Sequence, residues 1–332
     1  MTMAPVSAPD PGAATPAPDA HPATVSVPTT TSIGVVDRRR RSRRRIGKAV
    51  AWVVMGVLLL VTLFPFYWML RTSFSTNGAL AANSTNLLPA EFSLGGWKRV
   101  LGLATPEEAL ADGGSGASIN FWLYLRNSLV VATITTVVQT FFCALAAYAF
   151  ARLRWRGRDA VFFLFLTALM IPPIFTTLPN FILIRDLGLL NTFAGIVLPG
   201  LLMAPFSVFF LRQFFLGIPR ELEEAATLDG AGHVRIFFRV ILPISSAPVT
   251  TLAILTYIAS WNDYFWPLLV GKSDDVRVLT VALGVFRSQT PQGSPDWAGL
   301  MAATLISALP ILILFALLGR KVINSIGFSG LK

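Results

Sequence analysis

Residue types that build most soluble active sites are almost missing from this chain. There is one cysteine, Cys143, among 332 residues, so no intrachain disulfide can form. The two histidines, His21 and His233, lie in different segments without ligand-spaced neighbours, which leaves a metal site unsupported. No His/Cys/Asp cluster and no activated nucleophile is recognisable, so the chain does not read as an enzyme and no cofactor is expected. Charge is scarce as well, at 13% of residues against roughly 25% in a soluble domain. What replaces it is apolar: 54% hydrophobic residues and a mean hydropathy of +0.65. Lipid is the solvent for most of such a chain.

Six apolar runs are long enough to cross a bilayer: Ala49–Leu70, Ser128–Phe150, Ala160–Ile182, Ala194–Phe214, Pro248–Val270 and Ala298–Leu318. Each approaches the roughly 20 residues of a spanning helix, and none alternates as a barrel strand would. The fold class is therefore all-α, a polytopic bundle of six transmembrane helices. The net charge of +10 is explained by position rather than by nucleic acid. With the N-terminus in the cytoplasm, 19 of the 27 Lys and Arg fall in cytoplasmic segments, while in the outer segments 8 acids oppose the remaining 8 Lys and Arg. That is the positive-inside pattern, and no aromatic-interleaved basic surface accompanies it. A multi-pass protein of the cell membrane with both termini cytoplasmic follows, with lipid and not nucleic acid as its surroundings.

Residues 1–37 are rich in Pro, Ala, Ser and Thr and cannot bury enough apolar surface to offset ordering entropy. We expect a disordered cytoplasmic tail over 1–45, ending in the Arg38–Arg45 cluster, and a transmembrane domain over 46–332. The first apolar run is too long for the core of a signal peptide. Between the first two spans, Gly78, Gly95, Gly96 and Asp112-Gly113-Gly114-Ser115-Gly116 mark turns, and Phe92, Leu94, Trp97 and Val100 suggest a short interfacial helix. In the third span, Pro172, Pro173 and Pro179 give either a packing kink or a broken helix lining a cavity. No internal repeat is visible by eye, which weighs against an inverted-repeat carrier.

The segment between the fourth and fifth spans is amphipathic. Pro219 suits the first position of a helix, and Glu221, Glu223 and Glu224 suit its positive end. Leu222, Ala225 and Ala226 can share a face; Asp229-Gly230 breaks the helix. A second piece, His233–Val240, sets apolar Ile236, Phe237 and Val240 against Arg235 and Arg239, and Pro243 ends it. Small alanines suit a helix seated in a partner's groove, and an exposed glutamate offers that partner's arginine an ion pair. A plain connector on the membrane surface is the alternative.

This segment resembles the coupling loop of importer permeases of the ATP-binding-cassette (ABC) superfamily: E-A-A, three residues, Gly, nine residues, I-x-L-P. Glu224, Ala225, Ala226, Gly230, Leu242 and Pro243 match in that spacing, with Val240 for isoleucine and Asp229 beside the glycine. Ser260-Trp261-Asn262-Asp263-Tyr264-Phe265-Trp266-Pro267-Leu268 is similar to a stretch of carbohydrate-importing permeases, as are Phe92–Trp97 and Leu187–Thr192. The maltose-type branch, in its shorter six-span subunit, resembles the chain most. The resemblance implies cytoplasmic ABC ATPase subunits docking on the loop, a second permease subunit, and an extracytoplasmic sugar-binding protein. The chain does not itself carry the ATP chemistry: Gly271-Lys272-Ser273 imitates the end of a phosphate-binding loop, but Trp266 stands where its first glycine belongs.

Asp263 is the acid well inside a span, where insertion costs about 2.5–3.5 kcal/mol, so it should face protein or water. Asn262 and Asp263 offer hydrogen bonds, and Tyr257, Trp261 and Tyr264 form a stripe at helical spacing. A substrate pathway over Tyr257, Trp261, Asn262, Asp263 and Tyr264 is one reading; an interfacial aromatic belt or helix packing is the other. For the chain as a whole, the alternatives to a sugar importer are a proton- or sodium-coupled carrier using Asp263 and an ABC permease for a non-sugar solute.

Overall fold

The computed structural model describes residues 33–82, 85–89, 91–112, 119–288 and 296–327. Among these, helices are the regular structure, beside one isolated antiparallel bridge between Ser75 and Phe92. By internal contacts the chain forms two units, Met1–Thr62 and Leu63–Lys332. The described part of the first unit is the start of helix α1 (Ile33–Ser73). The helix starts at Ile33, inside the tail expected over 1–45, and the residues before it lie outside the described residues. From Gly47 to Ser73, α1 is long and apolar enough to cross a membrane, with Leu58 and Leu60 among its exposed side chains.

In the second unit, three short helices follow: α2 (Asn77–Ala82), α3 (Gly95–Val100) and α4 (Pro106–Ala111). Helix α5 (Phe121–Arg152) is long and apolar enough to cross on its own. The third apolar run is split into α6 (Arg158–Thr167) and α7 (Pro173–Asp186) by a 98° bend. The cause is local. A residue before proline avoids the helical region, and both Ile171 and Pro172 stand ahead of prolines with extended backbones, at ψ 114° and 135°. Of the two readings of these prolines, the structure has the broken helix. The fourth run breaks likewise, by 49°, between α8 (Phe193–Val197) with its trailing turn and α9 (Pro205–Leu216). Ala204, ahead of Pro205, is extended at ψ 128°.

Helix α10 (Glu221–Leu228) and α11 (His233–Ile236) lead into a π-helical segment, Phe237–Ile241, and then α12 (Leu242–Ile244). After an 81° bend at Ser245 comes α13 (Ser246–Trp261), followed by α14 (Phe265–Val270), α15 (Leu279–Ser288) and α16 (Trp297–Gly327). The fifth run is thus not one helix over Pro248–Val270. It stops at Trp261, because Asn262 and Asp263 satisfy backbone groups locally and so compete with the helix. Asn262 Nδ2 donates to Ile258 O at 2.8 Å. Pro267 has no N–H for the carbonyl four residues back, and the Thr280 hydroxyl donates to that Asp263 carbonyl instead, at 2.7 Å. Three helices long enough to cross, plus three bent pairs each counted as one span, give six crossings.

Helix α5 is the axis of the second unit, packing on α9 and α13, while α13 also packs on α16. Cys143, Ala144, Ala147 and Ala151 make one face of α5 small, and Val208, Leu211 and Phe215 of α9 pack against it. Small residues let helix backbones approach in lipid, where packing rather than water exclusion holds helices together. The short helix expected around Phe92–Val100 is present as α3, and it docks on α16: a Cβ on Gly96 would lie 2.8 Å from the Ala298 carbonyl carbon. Arg99 of α3 forks onto Asp296 through Nε (2.7 Å) and Nη2 (2.9 Å), and Asn77 Nδ2 adds a third bond at 2.7 Å. All three side chains are buried.

Candidate functional site

Helix α10 begins at Glu221, with Arg220 as its N-cap, so Pro219 precedes the helix rather than opening it. Glu221, Glu224, Ala225 and Leu228 stand at i, i+3, i+4 and i+7 and are all exposed, Leu228 at 90%. Glu223 and Ala226 turn inward; Ala226 packs on the buried cluster of α5, α9 and Ile236. Ala225 and Ala226 therefore fall on different faces, and Ala225 shares its own with Glu224. Asp229 caps the helix and Gly230 takes a left-handed φ of +80°. The Gly230 N–H donates to Thr227 O and the Ala231 N–H to Ala226 O, both at 2.9 Å. This is the Schellman closure of a helix end, which favours glycine at that position.

The chain then re-enters the bundle. Ile236, Phe237 and Ile241 are buried while Arg235 and Arg239 stay exposed. The Leu242 N–H donates to Phe237 O, five residues back. The widened ladder sits just ahead of Pro243, which has no N–H for the Arg239 carbonyl, and such insertions bend helices. Leu242 packs on the same buried cluster. Helix α10 is also tied to α5: Arg152 Nε lies 3.0 Å from Glu223 Oε1, and the same guanidinium donates to the carbonyls of Phe215 and Ile218. One arginine thus joins the end of α5, the end of α9 and the start of α10.

Helices α5 and α13 continue to a cavity of about 880 Å³, within the roughly 300–1,000 Å³ of small-molecule sites. Its polar lining is Thr135 and Gln139 from α5, Thr176, Thr177 and Asn180 from α7, Ser207 from α9, Thr256 and Ser260 from α13, and Asp263. The proline breaks turn α7 and α9 across this space. Among the five residues expected along a pathway, Asp263 lines the cavity; its carboxylate also accepts the backbone N–H groups of Phe265 and Trp266 at the start of α14. Trp266 lines it too, with its indole N–H donating to the carbonyls of Gly195 and Ile196. The aromatic stripe does not line it. Tyr257 and Trp261 stack on each other at 5.9 Å within a buried cluster that includes Phe121 and Tyr124. Tyr264 falls past the helix break, out of register, against Gly284. Asn262 spends its amide on its own helix.

Sequence reasoning missed Arg152, Glu223, Gln139 and Asn180. Arg152 looked like topology charge, and Glu223 was read only as one of the carboxylates at the positive end of its helix. Gln139 and Asn180 carried the better signal, as amide side chains inside apolar runs, where an unsatisfied polar group is costly. The Gly271-Lys272-Ser273 stretch has a structural partner: the amides of Lys272 and Ser273 donate to Asn191 Oδ1 at 2.8 and 3.0 Å.

A helical chain with up to six crossings, a polar cavity and a hinged loop helix exposed at one end is built as a membrane transport component. Residues 139–325 match the family described as binding-protein-dependent transport system inner membrane component. The arabinooligosaccharides transport system permease protein AraQ of Halalkalibacterium halodurans is 30% identical over 295 residues, 87% of this chain and 99% of that protein. The trehalose/maltose transport system permease protein MalG of Thermococcus litoralis is 29% identical over 292 residues, again 87% and 99%. A chain from the crystal structure of a bacterial ABC transporter involved in the import of alginate shares the fold, with a TM-score of 0.70, 24% identity, and coverage of 83% of this chain and 96% of that one. The chain belongs to the binding-protein-dependent transport family: it is a membrane-spanning permease subunit of the ABC importer kind, not an enzyme.

Proposed function

We propose that this permease imports a carbohydrate and that α10 is its contact with a separate cytoplasmic ATPase. The observation that carries the reading is the exposed stripe Glu221, Glu224, Ala225 and Leu228, on a helix wired to both α5 and α13. When ATP binding moves the ATPase, α10 moves with it. Glu223 and Arg152 pass that displacement to α5, and the π segment with its bend at Ser245 passes it to α13. Both helices wall the cavity, so the same displacement biases it between two openings. Leu242 and Pro243 belong to the hinge, and Asp229 with Gly230 to the elbow.

Carbohydrate is favoured by the substrates named for the two relatives and by a lining of hydroxyls, carboxamides and one carboxylate, which suits sugar hydroxyls. A second permease closes the open side of the cavity, and an extracytoplasmic sugar-binding protein delivers substrate. The distribution of Lys and Arg supports a cytoplasmic placement of α10 and both termini. The test is uptake of labelled oligosaccharides by proteoliposomes holding the whole complex. Asn180→Ala and Gln139→Ala should each raise KM about fivefold, the equivalent of about one neutral hydrogen bond. Uptake that persists without ATP and collapses with a protonophore would instead mark a secondary carrier.

A further inference from the structure

We propose that a basic cavity at the α10 end of the second unit binds the phosphate headgroup of an anionic phospholipid, whose acyl chains lie along the exposed apolar side of α6. The cavity, of about 450 Å³, is lined by Arg154, Trp155, Arg158, Asp159 and Arg220 together with the Gly157 turn. It lies between the α5–α6 connection and the α9–α10 connection, outside the transport cavity and outside the exposed stripe of α10.

The charges around it are unevenly matched. Asp159 is the one acid in the lining, and it is engaged: Arg158 forks onto it at 3.0 and 3.2 Å, and Arg212 lies 3.8 Å away. Arg212 rests over the Phe162 ring at 4.2 Å, and Arg152 is committed to Glu223. Arg154 and Arg220 are exposed, and among the described residues neither has an acidic partner. Two unmatched guanidiniums therefore face one cavity, and guanidinium is the side chain best suited to fork onto phosphate.

The backbone adds to this field. Helix α6 has ten residues and starts at the cavity wall with Asp159 in its first turn; its N-cap, Gly157 at φ +84°, brings no capping side chain, and of the first-turn N–H groups that of Arg158 donates to Trp155 O at 3.4 Å. An uncapped helix start favours an anion. A free phosphate needs only that much. A lipid also needs an apolar surface continuous with the charge, and the next residues supply it: Val161, Phe163 and Leu164 are all exposed. Trp155, half out of the protein beside the cavity, is the residue type that settles at headgroup level.

The test is native mass spectrometry of the full chain purified in mild detergent, titrated with phosphatidylglycerol, phosphatidylcholine and soluble glycerol phosphate. The wild type should retain phosphatidylglycerol over phosphatidylcholine. Arg154→Gln and Arg220→Gln should each lower that preference about fivefold, and together about twenty-five-fold. Arg156→Gln removes the same charge from the same loop outside the lining and should leave the preference within twofold. Equal retention of the two lipids by the wild type overturns the proposal, as does an equal loss in the Arg156 variant. Displacement by glycerol phosphate at the concentration of the lipid reduces the site to a phosphate site and overturns the lipid assignment. Loss of a co-purifying ATPase from the double variant with lipid retention unchanged would make the cavity a protein contact instead.

Discussion

Replacing Arg152 by methionine keeps most of the side-chain volume and removes the guanidinium that joins α5, α9 and α10. The Arg152 side chain is 4% accessible and the Glu223 side chain 17%. Methionine would strand a mostly buried carboxylate and leave the Phe215 and Ile218 carbonyls without their donor. Removing one partner of a buried pair costs about 3–5 kcal/mol. At about 1.4 °C per kcal/mol for a chain of 332 residues, the melting temperature should fall by about 4–7 °C. Glu223→Gln keeps both carbonyl bonds and should cost about 1–2 kcal/mol. In Arg152→Met/Glu223→Gln the stranded charge is gone, so the two losses should fall short of additivity by about 1–3 kcal/mol. The assay is a thermal melt of the full chain in mild detergent, with ATP-driven uptake measured alongside. An Arg152→Met protein melting within about 1 °C of wild type, or losses that simply add, would show that Arg152 does not hold this junction.

At Gly230 a Cβ would meet nothing within 4 Å, so Gly230→Ala should cost only backbone strain of about 1–2 kcal/mol. Gly230→Pro cannot adopt φ +80° and loses the bond to Thr227 O; uptake per ATP hydrolysed should fall far more than with alanine. Gly96→Val should push α3 off α16 and speed proteolytic cleavage between residues 101 and 112, while Gly78→Ala, with open space around it, should not. Asp263→Asn retains a side chain that can cap α14 and should lower uptake with little change in melting temperature; Trp261→Ala should do the reverse, lowering stability first, because its ring is buried against Tyr257. The ratio of uptake to folded protein separates the two.

The six apolar runs and the hinged loop were legible because hydropathy and glycine placement are local properties of the chain. The breaks were partly legible: Pro172-Pro173 announced the bend in the third run, whereas Pro199, Gly200 and Pro205 held an equal signal in the fourth that hydropathy overrode. Asn262-Asp263 and Pro267 likewise marked the end of α13 inside an apolar run that reads as continuous. Of the cavity lining, Asp263 was legible as an acid inside an apolar run, but the rest of the set was not. A stripe at 257, 261 and 264 presumes an unbroken helix, and whether a face meets water or another helix depends on neighbours far away in sequence. Phe121 and Tyr124, which help bury Trp261, precede it by well over a hundred residues. The pairing of Arg99 with Asp296, 197 residues apart, is equally invisible to any local pattern.

The most direct measurement is co-purification of an ATPase with this chain in mild detergent, wild type beside Glu224→Arg. Glu224 is exposed, so the reversed charge should leave the melting temperature unchanged. The expected result is an ATP-hydrolysing subunit retained by the wild type and lost from the variant together with uptake. A variant that keeps its ATPase and its coupled uptake would contradict the assignment of α10 as the transmission contact.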